Sequence, residues 1–465
     1  MKALRARTAH SLADVERIEH FDGRVWSIRD KRLAAAAKHP HWEELRSRAS
    51  EIKAHTVNHL DLYLARFIDR ARAAGAEIHL AGDGAAANEI IRSLCLAAGA
   101  TRVTKSKSMT TEECGLNRHL ADHGIEVVDT DLGERIVQLL GEPPSHIVAP
   151  AIHRRAWEVG QLFERAMGAP AGEKDPARLT AIARSDLRRH FLAAQVGITG
   201  VNFAVAETGT VVVVENEANS LLTTSLPDVH IAVMGFDKLI PRLSDLGVFL
   251  SLLARSATGQ RITSYTSHYT GPQARGEGER DRPPRRLHVV ILDNGRSRVL
   301  AREHHRSALG CIRCGACMNV CPVYRRVTGH AYSWVYPGPI GSVLAPDMAA
   351  AGAGLPFASS LCGACSEVCP VGIDLHQQLI LRRARLVEEG RVARPPFRRL
   401  AWLFARPRLY RWLERRLRRR RWLTRRLLGR WLHSRNGAPT RELPEPAEES
   451  FTEWWRRNRH GREGG

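Results

Sequence analysis

Apolar and polar positions follow two different periods along the chain. Between residues 61 and 296, short apolar runs rich in β-branched side chains end in turn residues, and stretches of helical spacing separate them. The short runs predict strands at 77–84, 101–108, 124–131, 145–150, 201–217, 228–235, 261–267 and 287–295. Helices are predicted between several of these strands, for example at 86–99 and 132–141. Such alternation is typical of an α/β domain with a mostly parallel sheet.

The regions outside this alternation predict three further segments. Residues 1–60 are polar with helical character, and residues 297–390 place a cysteine cluster on short helices and loops. Residues 391–465 form a tail rich in Arg and Trp. The predicted order is therefore an N-terminal helical segment (1–60), the α/β domain (61–296), a small helical cysteine domain (297–390) and a basic helical tail (391–465). Within the α/β domain, the polar stretch 270–286 predicts an exposed loop.

The charge of the chain is concentrated in one stretch. The 465 residues carry a formal net charge of +21, and residues 391–435 hold 17 arginines and one acid, Glu414. The rest of the chain is close to neutral, so we expect no general nucleic-acid-binding surface. Apolar runs stay short of the ~18 residues that a spanning helix requires, and the N-terminal segment lacks the apolar core of a signal peptide. These features exclude an integral membrane protein and predict a cytoplasmic location.

Seven of the nine cysteines fall in two motifs that share a Cys-Gly-Ala-Cys-x₃-Cys-Pro core. The first motif comprises Cys311, Cys314, Cys317 and Cys321, and the second comprises Cys362, Cys365 and Cys369. The first motif has the C-x₂-C-x₂-C-x₃-C-P spacing of bacterial ferredoxins, in which three thiolates reach one cluster and the fourth ligates another. A four-cysteine zinc site would leave three cysteines idle and would not explain both Cys-Pro endings. The spacing therefore predicts two iron–sulfur clusters.

Crossed ligation assigns the cysteines to these clusters. The first cluster takes Cys311, Cys314, Cys317 and Cys369, and the second takes Cys321, Cys362 and Cys365. One iron of the second cluster then lacks a thiolate, because the position equivalent to the first cysteine is Ser359. Three outcomes are open: a 4Fe–4S cluster with a water or ligand on that iron, a 3Fe–4S cluster, or a fourth ligand from a partner or from a distant residue such as Cys114. We expect two 4Fe–4S clusters, the second with one non-cysteine ligand.

Two segments of the α/β domain are candidates for substrate binding. Lys105, Lys107 and Ser108 follow a predicted strand and open a helix, a position that suits an anionic ligand. A plain helix cap with solvated lysines explains the same residues equally well.

The second segment, 206–220, predicts a strand, a turn at Gly209 and a second strand. Glu215 and Glu217 lie two residues apart and face one side of that strand. Such a pair can perform acid–base chemistry or can simply be the polar face of an edge strand.

Several motifs together resemble those of one known family. KSKSMTTEE, ETGTVVVVENEANSLLTTSLPDVHIAVMGFDKLIP, VILDNGR, CIRCGACMNVCPVY, WVYPGPIG and SLCGACSEVCPVGI occur in this order, between about residues 40 and 410. This combination closely resembles the lactate utilization protein B family, the iron–sulfur, LUD-domain subunits of a bacterial L-lactate utilization system. The resemblance implies a LUD domain, similar to the α/β sheet of sugar-phosphate isomerases and CoA-transferases, followed by a ferredoxin-type domain. All seven cysteines match the family.

The resemblance also implies a function and partners. It predicts an electron-transfer subunit of a system that oxidises L-lactate to pyruvate. The expected partners are a cysteine-rich subunit similar to heterodisulfide reductases and a smaller LUD-domain protein. No catalytic residue transfers to this chain. The candidate substrate-binding residues are Lys105, Lys107, Ser108, Glu207, Thr208, Gly209 and Thr210.

Two alternatives concern the enzyme and the tail. The LUD domain could instead be an oxidoreductase that binds its own anionic substrate and uses the clusters as its electron outlet. The stretch 391–435 interleaves arginines with Trp and Leu at mostly helical spacing. Such a helix suits an anionic membrane surface or an acidic partner groove, and it can also pack on the protein body with a solvated arginine face.

Overall fold

The computed structural model describes residues 2–273, 285–349, 352–392, 397–419, 447 and 449–458. It contains two compact units, Met1–Val392 and Ala393–Gly465. Two sequence predictions fall partly outside the described residues, namely most of the polar loop 270–286 and the tail segment 420–446.

Among the described residues of the first unit, ten strands form two sheets. The strands are β1 (Glu77–Ala81), β2 (Arg102–Lys105), β3 (Glu126–Asp129), β4 (Val196–Gly200), β5 (Phe203–Val205), β6 (Thr210–Glu215), β7 (Val229–Gly235), β8 (Leu239–Ile240), β9 (Tyr265–Tyr269) and β10 (Arg286–Leu292). Six of them form a wholly parallel sheet in the order β1-β10-β7-β4-β2-β3. The other four form a smaller sheet in the order β8-β5-β6-β9. This arrangement confirms the predicted α/β class.

Helices cover the sheets and build the cysteine region. In the first half of the chain they are α1 (Lys2–Ala13), α2 (Val15–Ala37), α3 (Trp42–Asn58), α4 (Leu60–Ala73), α5 (Gly84–Ala97), α6 (Met109–Cys114), α7 (Leu116–Asp122), α8 (Leu132–Leu140), α9 (Ala156–Met167), α10 (Pro176–Ala193) and α11 (Asn219–Ser225). In the second half they are α12 (Leu246–Thr258), α13 (Arg296–Leu300), α14 (Ala316–Asn319), α15 (Pro322–Val327), α16 (Gly338–Met348), α17 (Ala364–Glu367) and α18 (Leu375–Glu388).

Apolar clusters lie on both faces of the parallel sheet. On one face, Ile91 of α5 and Leu120 of α7 pack against strand residues such as Val103. On the other face, a larger apolar core continues from the N-terminal helices through the small sheet into the cysteine region. Phe21 of α2 belongs to this core, and its ring lies 5.5 Å from that of Tyr324 in α15. The cysteine region is therefore packed into the same core as the sheets.

The strand predicted at 145–150 is wrong. This stretch forms turns, and its apolar residues are buried because it packs on the cysteine region. The Tyr324 hydroxyl donates to the Ser145 carbonyl at 2.7 Å. The His146 ring accepts at Nδ1 from the Val148 amide, so its Nε2–H donates to Asn319 Oδ1 at 3.0 Å. These bonds satisfy the polar groups of a buried loop that joins no strand.

Strand β4 was not predicted from the sequence. Its two glycines weaken the strand pattern, but one of them has a packing role. A Cβ at Gly197 would lie 1.8 Å from the carbonyl oxygen of Thr223, so only glycine lets α11 approach the sheet this closely. The hairpin predicted within 201–217 is confirmed as β5 and β6.

The second unit contains three described helices, α19 (Phe397–Phe404), α20 (Pro407–Arg419) and a final helix, Phe451–Asn458. Helix α20 begins at Pro407, which suits the first turn of a helix because the missing N–H of proline costs little there. Trp402 and Trp412 are exposed. Among the described residues, none of the helices is long and apolar enough to cross a membrane.

Candidate functional site

The seven cysteines of the two motifs are free thiols, and six of them are buried or half-buried. Cys362 is the exposed member of the set. Burial raises the pKa of Cys317 well above its usual range, and nearby thiols such as Cys311 raise it further. Buried neutral thiols gathered in this way are suited to metal, because a bound metal stabilises the thiolate that burial disfavours.

The charge effects between thiols reveal two neighbouring groups that cross the two motifs. Burial raises the pKa of Cys369 to about 11, and the thiol of Cys311 in the other motif adds to the shift. Burial likewise raises the pKa of Cys365 to about 11, with contributions from Cys321 and Cys362. The last cysteine of each motif therefore lies near the cysteines of the other motif. This crossing is the arrangement that shared ligation of two clusters requires.

The two motifs also share an unusual backbone conformation. Arg313, directly before the Cys-Gly-Ala-Cys core, has φ of +60°, and Gly315 has φ of +78°. In the second motif, Leu361 has φ of +59° and Gly363 has φ of +85°. Left-handed conformations at non-glycine residues are uncommon, so their repetition at equivalent positions shows that both loops fold in the same way.

The same comparison places Ser359 in the position of a ligand. In the first motif, the backbone N–H of Arg313 donates to Cys311 Sγ at 3.4 Å. In the second motif, the N–H of Leu361 donates to Ser359 Oγ at 3.1 Å. The serine hydroxyl therefore occupies the place in its loop that the thiol occupies in the other loop.

Cys114, a candidate for the missing ligand, lies elsewhere. It is at the end of α6 and packs against Gly84 of α5, where a Cβ on the glycine would lie 3.4 Å from the Cys114 sulfur. It belongs with the apolar cluster on the far face of the parallel sheet. The structure therefore does not bring Cys114 to the cysteine motifs.

Arginines from the N-terminal helices hold the second motif in place. Arg32 of α2 is buried and donates through Nη2 to the carbonyl of Val368 at 2.9 Å. Arg46 of α3 donates through Nε to the carbonyl of Cys369 at 3.1 Å and through Nη2 to that of Glu367 at 2.8 Å. These bonds fix the loop that contains the last cysteine and bring positive charge close to it.

A buried ionic network joins the parallel sheet to the first motif. Arg296 donates through Nε to Asp237 at 2.6 Å and through Nη1 and Nη2 to the two carboxylate oxygens of Glu113, each at 2.9 Å. The Tyr336 hydroxyl donates to Glu113 at 2.9 Å. Arg313 of the first cysteine loop reaches Asp237 at 3.3 Å and stacks on the Tyr336 ring. Asp237 is thus shared between the sheet and the cysteine loop.

A cleft of about 240 Å³ opens at the carboxyl edge of β2 and β4. Its lining comes mainly from the loops after these strands, from the end of β6 and from the first cysteine loop. The members are 106–110, Asp131, 147–148, 200–202, 213–217, 219–220, Lys238, Gln260, Thr263, Arg313 and Tyr336, with parts of α12. Ligands of parallel α/β sheets bind at this edge. The cleft therefore connects the expected ligand edge of the sheet to the first cysteine motif.

Two of the seven predicted substrate-binding residues line this cleft, and the other five do not. Lys107 and Ser108 contribute to its wall. Lys107 is paired with Asp131 at 2.8 Å, and the Ser108 hydroxyl caps α6. Glu215 and Glu217 also line the cleft, although the Glu215 carboxylate accepts from the amides that open α11.

Lys105 is an internal ion partner. Its ammonium is fully buried and lies 2.7 Å from Asp129, 3.1 Å from Glu112 and 3.5 Å from Glu134. Burial by itself would lower the pKa of Lys105, but these carboxylates raise it well above its usual value. Burial raises the pKa of Glu134 to about 8. Lys105 is therefore a buried counter-ion of the acids beneath the sheet edge.

The remaining predicted residues form the tight turn between β5 and β6. Glu207 is exposed, and the hydroxyls of Thr208 and Thr210 hydrogen bond to each other at 2.7 Å. Gly209 has φ of +70°, and a Cβ there would lie 2.3 Å from the Ala71 amide nitrogen of α4. These four residues thus lie together on a turn packed against α4, outside the lining of the cleft.

Sequence reasoning missed two basic residues of the cleft, Lys238 and Arg313. Burial lowers the pKa of Lys238 to about 8, so the ammonium is still largely charged at neutral pH. Lys238 is a single cation in an apolar stretch, and Arg313 is a single cation in the first cysteine motif. Neither belongs to a repeating pattern of polar and apolar residues that would indicate a ligand site. An arginine between two clustered cysteines is the clue that the sequence did offer.

Comparison with known proteins gives matches to two domain families. Residues 64–292 match the LUD domain, and residues 307–373 match a 4Fe-4S dicluster domain.

Several curated proteins are similar over most of the chain. It is 47% identical to lactate utilization protein B of Shouchella clausii, over 76% of this chain and 74% of the relative. It is 43% identical to lactate utilization protein B of Oceanobacillus iheyensis, over 92% and 90% of the two chains. It is 41% identical to an Escherichia coli K12 protein named uncharacterized electron transport protein YkgF, over 90% and 89%. The crystal structure of a DUF162 family protein from Deinococcus radiodurans aligns with a TM-score of 0.27 at 16% identity, over 50% of this chain and 98% of that chain.

Proposed function

Because the chain belongs to the lactate utilization protein B family, we propose that it is the electron-transfer subunit of a bacterial system that oxidises L-lactate to pyruvate. Its relatives are named for lactate utilization, and residues 307–373 match an iron–sulfur domain. One observation carries the proposal: the first cysteine loop lies beside the cleft, because Arg313 of that loop is part of the cleft lining. Electrons from a substrate at the sheet edge would have a short path to iron.

The proposed ligands are those that the sequence predicts. The first cluster is held by Cys311, Cys314, Cys317 and Cys369, and the second by Cys321, Cys362, Cys365 and one non-cysteine ligand. Free, clustered thiols that cross the two motifs support this set. Backbone N–H groups already point at the sulfurs, since Tyr324 donates to Cys321 and Ile373 donates to Cys369. A bound 4Fe–4S cluster supplies one-electron redox chemistry.

The chain's own residues prepare the environment of the clusters. Amide donors to sulfur and the nearby cations Arg32, Arg46 and Arg313 favour negative charge at the cysteines. Five of the seven cysteines are buried and Cys311 is half-buried, while the exposed Cys362 leaves one side of the second group open to solvent. We propose that this open side faces the redox partner.

The proposed partners are a cysteine-rich subunit similar to heterodisulfide reductases and a smaller LUD-domain protein. The family name implies a system of several proteins. In a second candidate function, the LUD domain is itself the oxidoreductase and binds an anionic substrate. The cleft favours this candidate because it joins the ligand edge of the sheet to the first cysteine loop.

Anaerobic purification with and without partners tests both functions. We expect about eight irons per chain and bleaching of the visible absorption by L-lactate only in the assembled complex. Cys317→Ser should lose iron, whereas Cys95→Ser, a buried cysteine outside the motifs, should keep it. Bleaching of the chain alone would favour the second candidate. An iron-free native chain, or normal growth on L-lactate of a strain that lacks it, would contradict the electron-transfer function.

A further inference from the structure

Two buried cations line the cleft without full partners. The Lys238 side chain is 8% exposed, and no hydrogen bond or ion pair joins its ammonium to any residue that the structure describes. The Arg313 side chain is 9% exposed, and its Nη2 reaches Asp237. Its Nη1 is buried and has no hydrogen-bond partner among the described residues. Buried charged donors without protein acceptors are suited to an anion, because such an anion would supply the hydrogen bonds that the protein does not.

The carboxylates closest to the two cations already have a partner. Buried Arg296 binds both Asp237 and Glu113. Of the other acids that line the cleft, Asp131 pairs with Lys107, Glu215 accepts from the amides that open α11, and Glu217 lies just after β6. Lys53, also buried, donates to the backbone carbonyls of Asp237 and Leu239 and brings no negative partner. Asp237 and Glu113 are therefore engaged mainly by Arg296, and only Nη2 of Arg313 reaches Asp237. An anion that enters the cleft would meet two buried cations that lack full hydrogen-bond partners among the described residues.

We propose that Lys238 and Arg313 bind the carboxylate of a small 2-hydroxy or 2-oxo acid in this cleft. The inference rests on the proposed function, which makes L-lactate the first ligand to test. The cleft, at about 240 Å³, is smaller than the ~300–1,000 Å³ of most ligand pockets, which favours a small acid over a nucleotide. The cleft wall also offers Ser108, Thr110 and Asn202 as hydrogen-bonding groups for the oxygen on the second carbon.

The position of the site gives it a role in specificity. Because Arg313 lies between Cys311 and Cys314, a carboxylate held by its guanidinium is anchored at the first cysteine loop. Ligands without a carboxylate would lose this anchor, and larger acids would not fit the cleft. The competing explanation is that the two cations offset the negative charge of the first iron–sulfur cluster. The two explanations predict different phenotypes for the same variant.

Calorimetric titration of the anaerobic, iron-loaded full chain tests the proposal. The probes are L-lactate, pyruvate and the uncharged analogue lactamide. We expect L-lactate and pyruvate to bind and lactamide to bind at least roughly 10-fold more weakly, because a charge-assisted hydrogen bond is lost. Lys238→Met should weaken L-lactate binding to a similar degree, and Lys238→Arg should restore much of it. Lys38→Met, at an exposed lysine of the same chain, is the matched control.

Three results would overturn the proposal. One is the absence of L-lactate and pyruvate binding to the native chain. Another is equal binding of lactamide and L-lactate. The third is unchanged L-lactate binding in Lys238→Met together with a shifted cluster midpoint potential, which would assign the charge to the cluster. In each case the chain could still contain iron and still be required for growth on L-lactate, so the proposed function would stand.

Discussion

The Ser359→Cys substitution tests the ligand set of the second cluster. Ser359 Oγ accepts a hydrogen bond from the backbone N–H of Leu361 at 3.1 Å. In the same way, Cys311 Sγ accepts a hydrogen bond from the backbone N–H of Arg313 at 3.4 Å. The slightly longer distance is the one that a larger sulfur atom requires, so a thiol at position 359 fits the existing loop. A free thiol has a pKa of ~8.5 and becomes a thiolate beside a metal, whereas a serine hydroxyl stays neutral.

We expect mild oxidation to remove one iron from the second cluster of the native protein but not from that of the Ser359→Cys variant. On mild oxidation, the native chain should fall from about eight irons to about seven as the weakly held iron leaves, with the EPR signal of a 3Fe–4S cluster. Ser359→Cys should keep about eight irons and give no such signal under the same treatment. Iron analysis and EPR on anaerobic samples, before and after one equivalent of oxidant, measure both.

Ser360→Cys is the matched control, because it adds a thiol at the exposed neighbouring position. It should behave like the native chain. The reasoning is refuted if the native protein retains both clusters through the oxidation, since the fourth iron would then already have a firm ligand. It is also refuted if both cysteine variants protect the cluster equally, because the loop equivalence would then not matter.

Three further predictions concern stability and the tail. Gly209→Ala should lower the free energy of unfolding by at least about 2 kcal/mol in urea titration, because the new Cβ meets α4 backbone and φ is positive. Gly23→Ala, with open space around it in α2, should instead stabilise by up to about 1 kcal/mol, and equal effects would contradict this explanation. Burial lowers the pKa of His230 to about 3. Between about pH 6.5 and 3 this histidine is therefore protonated in the unfolded chain but neutral in the folded chain, so the free energy of unfolding falls as the pH drops through that range. His230→Gln should reduce the slope of unfolding free energy against pH by about 1.4 kcal/mol per unit between about pH 5 and 6; an unchanged slope would show that the histidine is not a buried neutral group. Deleting 393–465 should abolish co-sedimentation with anionic liposomes at low salt, and the full chain should lose it at high salt; sedimentation that survives the deletion would remove the membrane hypothesis for the tail.

The sequence predicts the chemistry of the cysteine motifs better than the shape of the cleft. Cluster ligands lie at fixed short spacings, so local sequence is enough to propose them. The cleft combines loops that follow β2, β4 and β6 with a residue from the first cysteine motif. Which of these segments meet depends on strand order, and alternation of strands and helices predicts a parallel sheet without giving that order.

Individual residues show why only some of the predicted substrate-binding residues line the cleft. Lys107 and Lys105 have the same polar signature two residues apart, yet one lines the cleft and the other is enclosed by three acids. Those acids come from other elements, so the sequence near Lys105 does not reveal them. Gly209 attracts notice because glycines mark functional loops, but here its missing side chain allows contact with α4. The strand predicted at 145–150 failed for a related reason, since its apolar residues face the cysteine region.

The long-range bonds of the N-terminal helices have a consequence for synthesis on the ribosome. Arg32 donates to the carbonyl of Val368, 336 positions later, and Arg7 donates to that of Ala331, 324 positions later. Ribosomes add roughly 5–20 residues per second, so the acceptor of Arg32 emerges some 20 to 70 seconds after Arg32 itself. Throughout that interval α1 and α2 lack their partners in the cysteine region, and α12 (Leu246–Thr258) can cover only part of α2 before that region is made. The remaining apolar surface of these helices is open to chaperones and to neighbouring nascent chains. The first helices made are therefore among the last to reach their final places, and the cell has to protect them until the cysteine region has been translated.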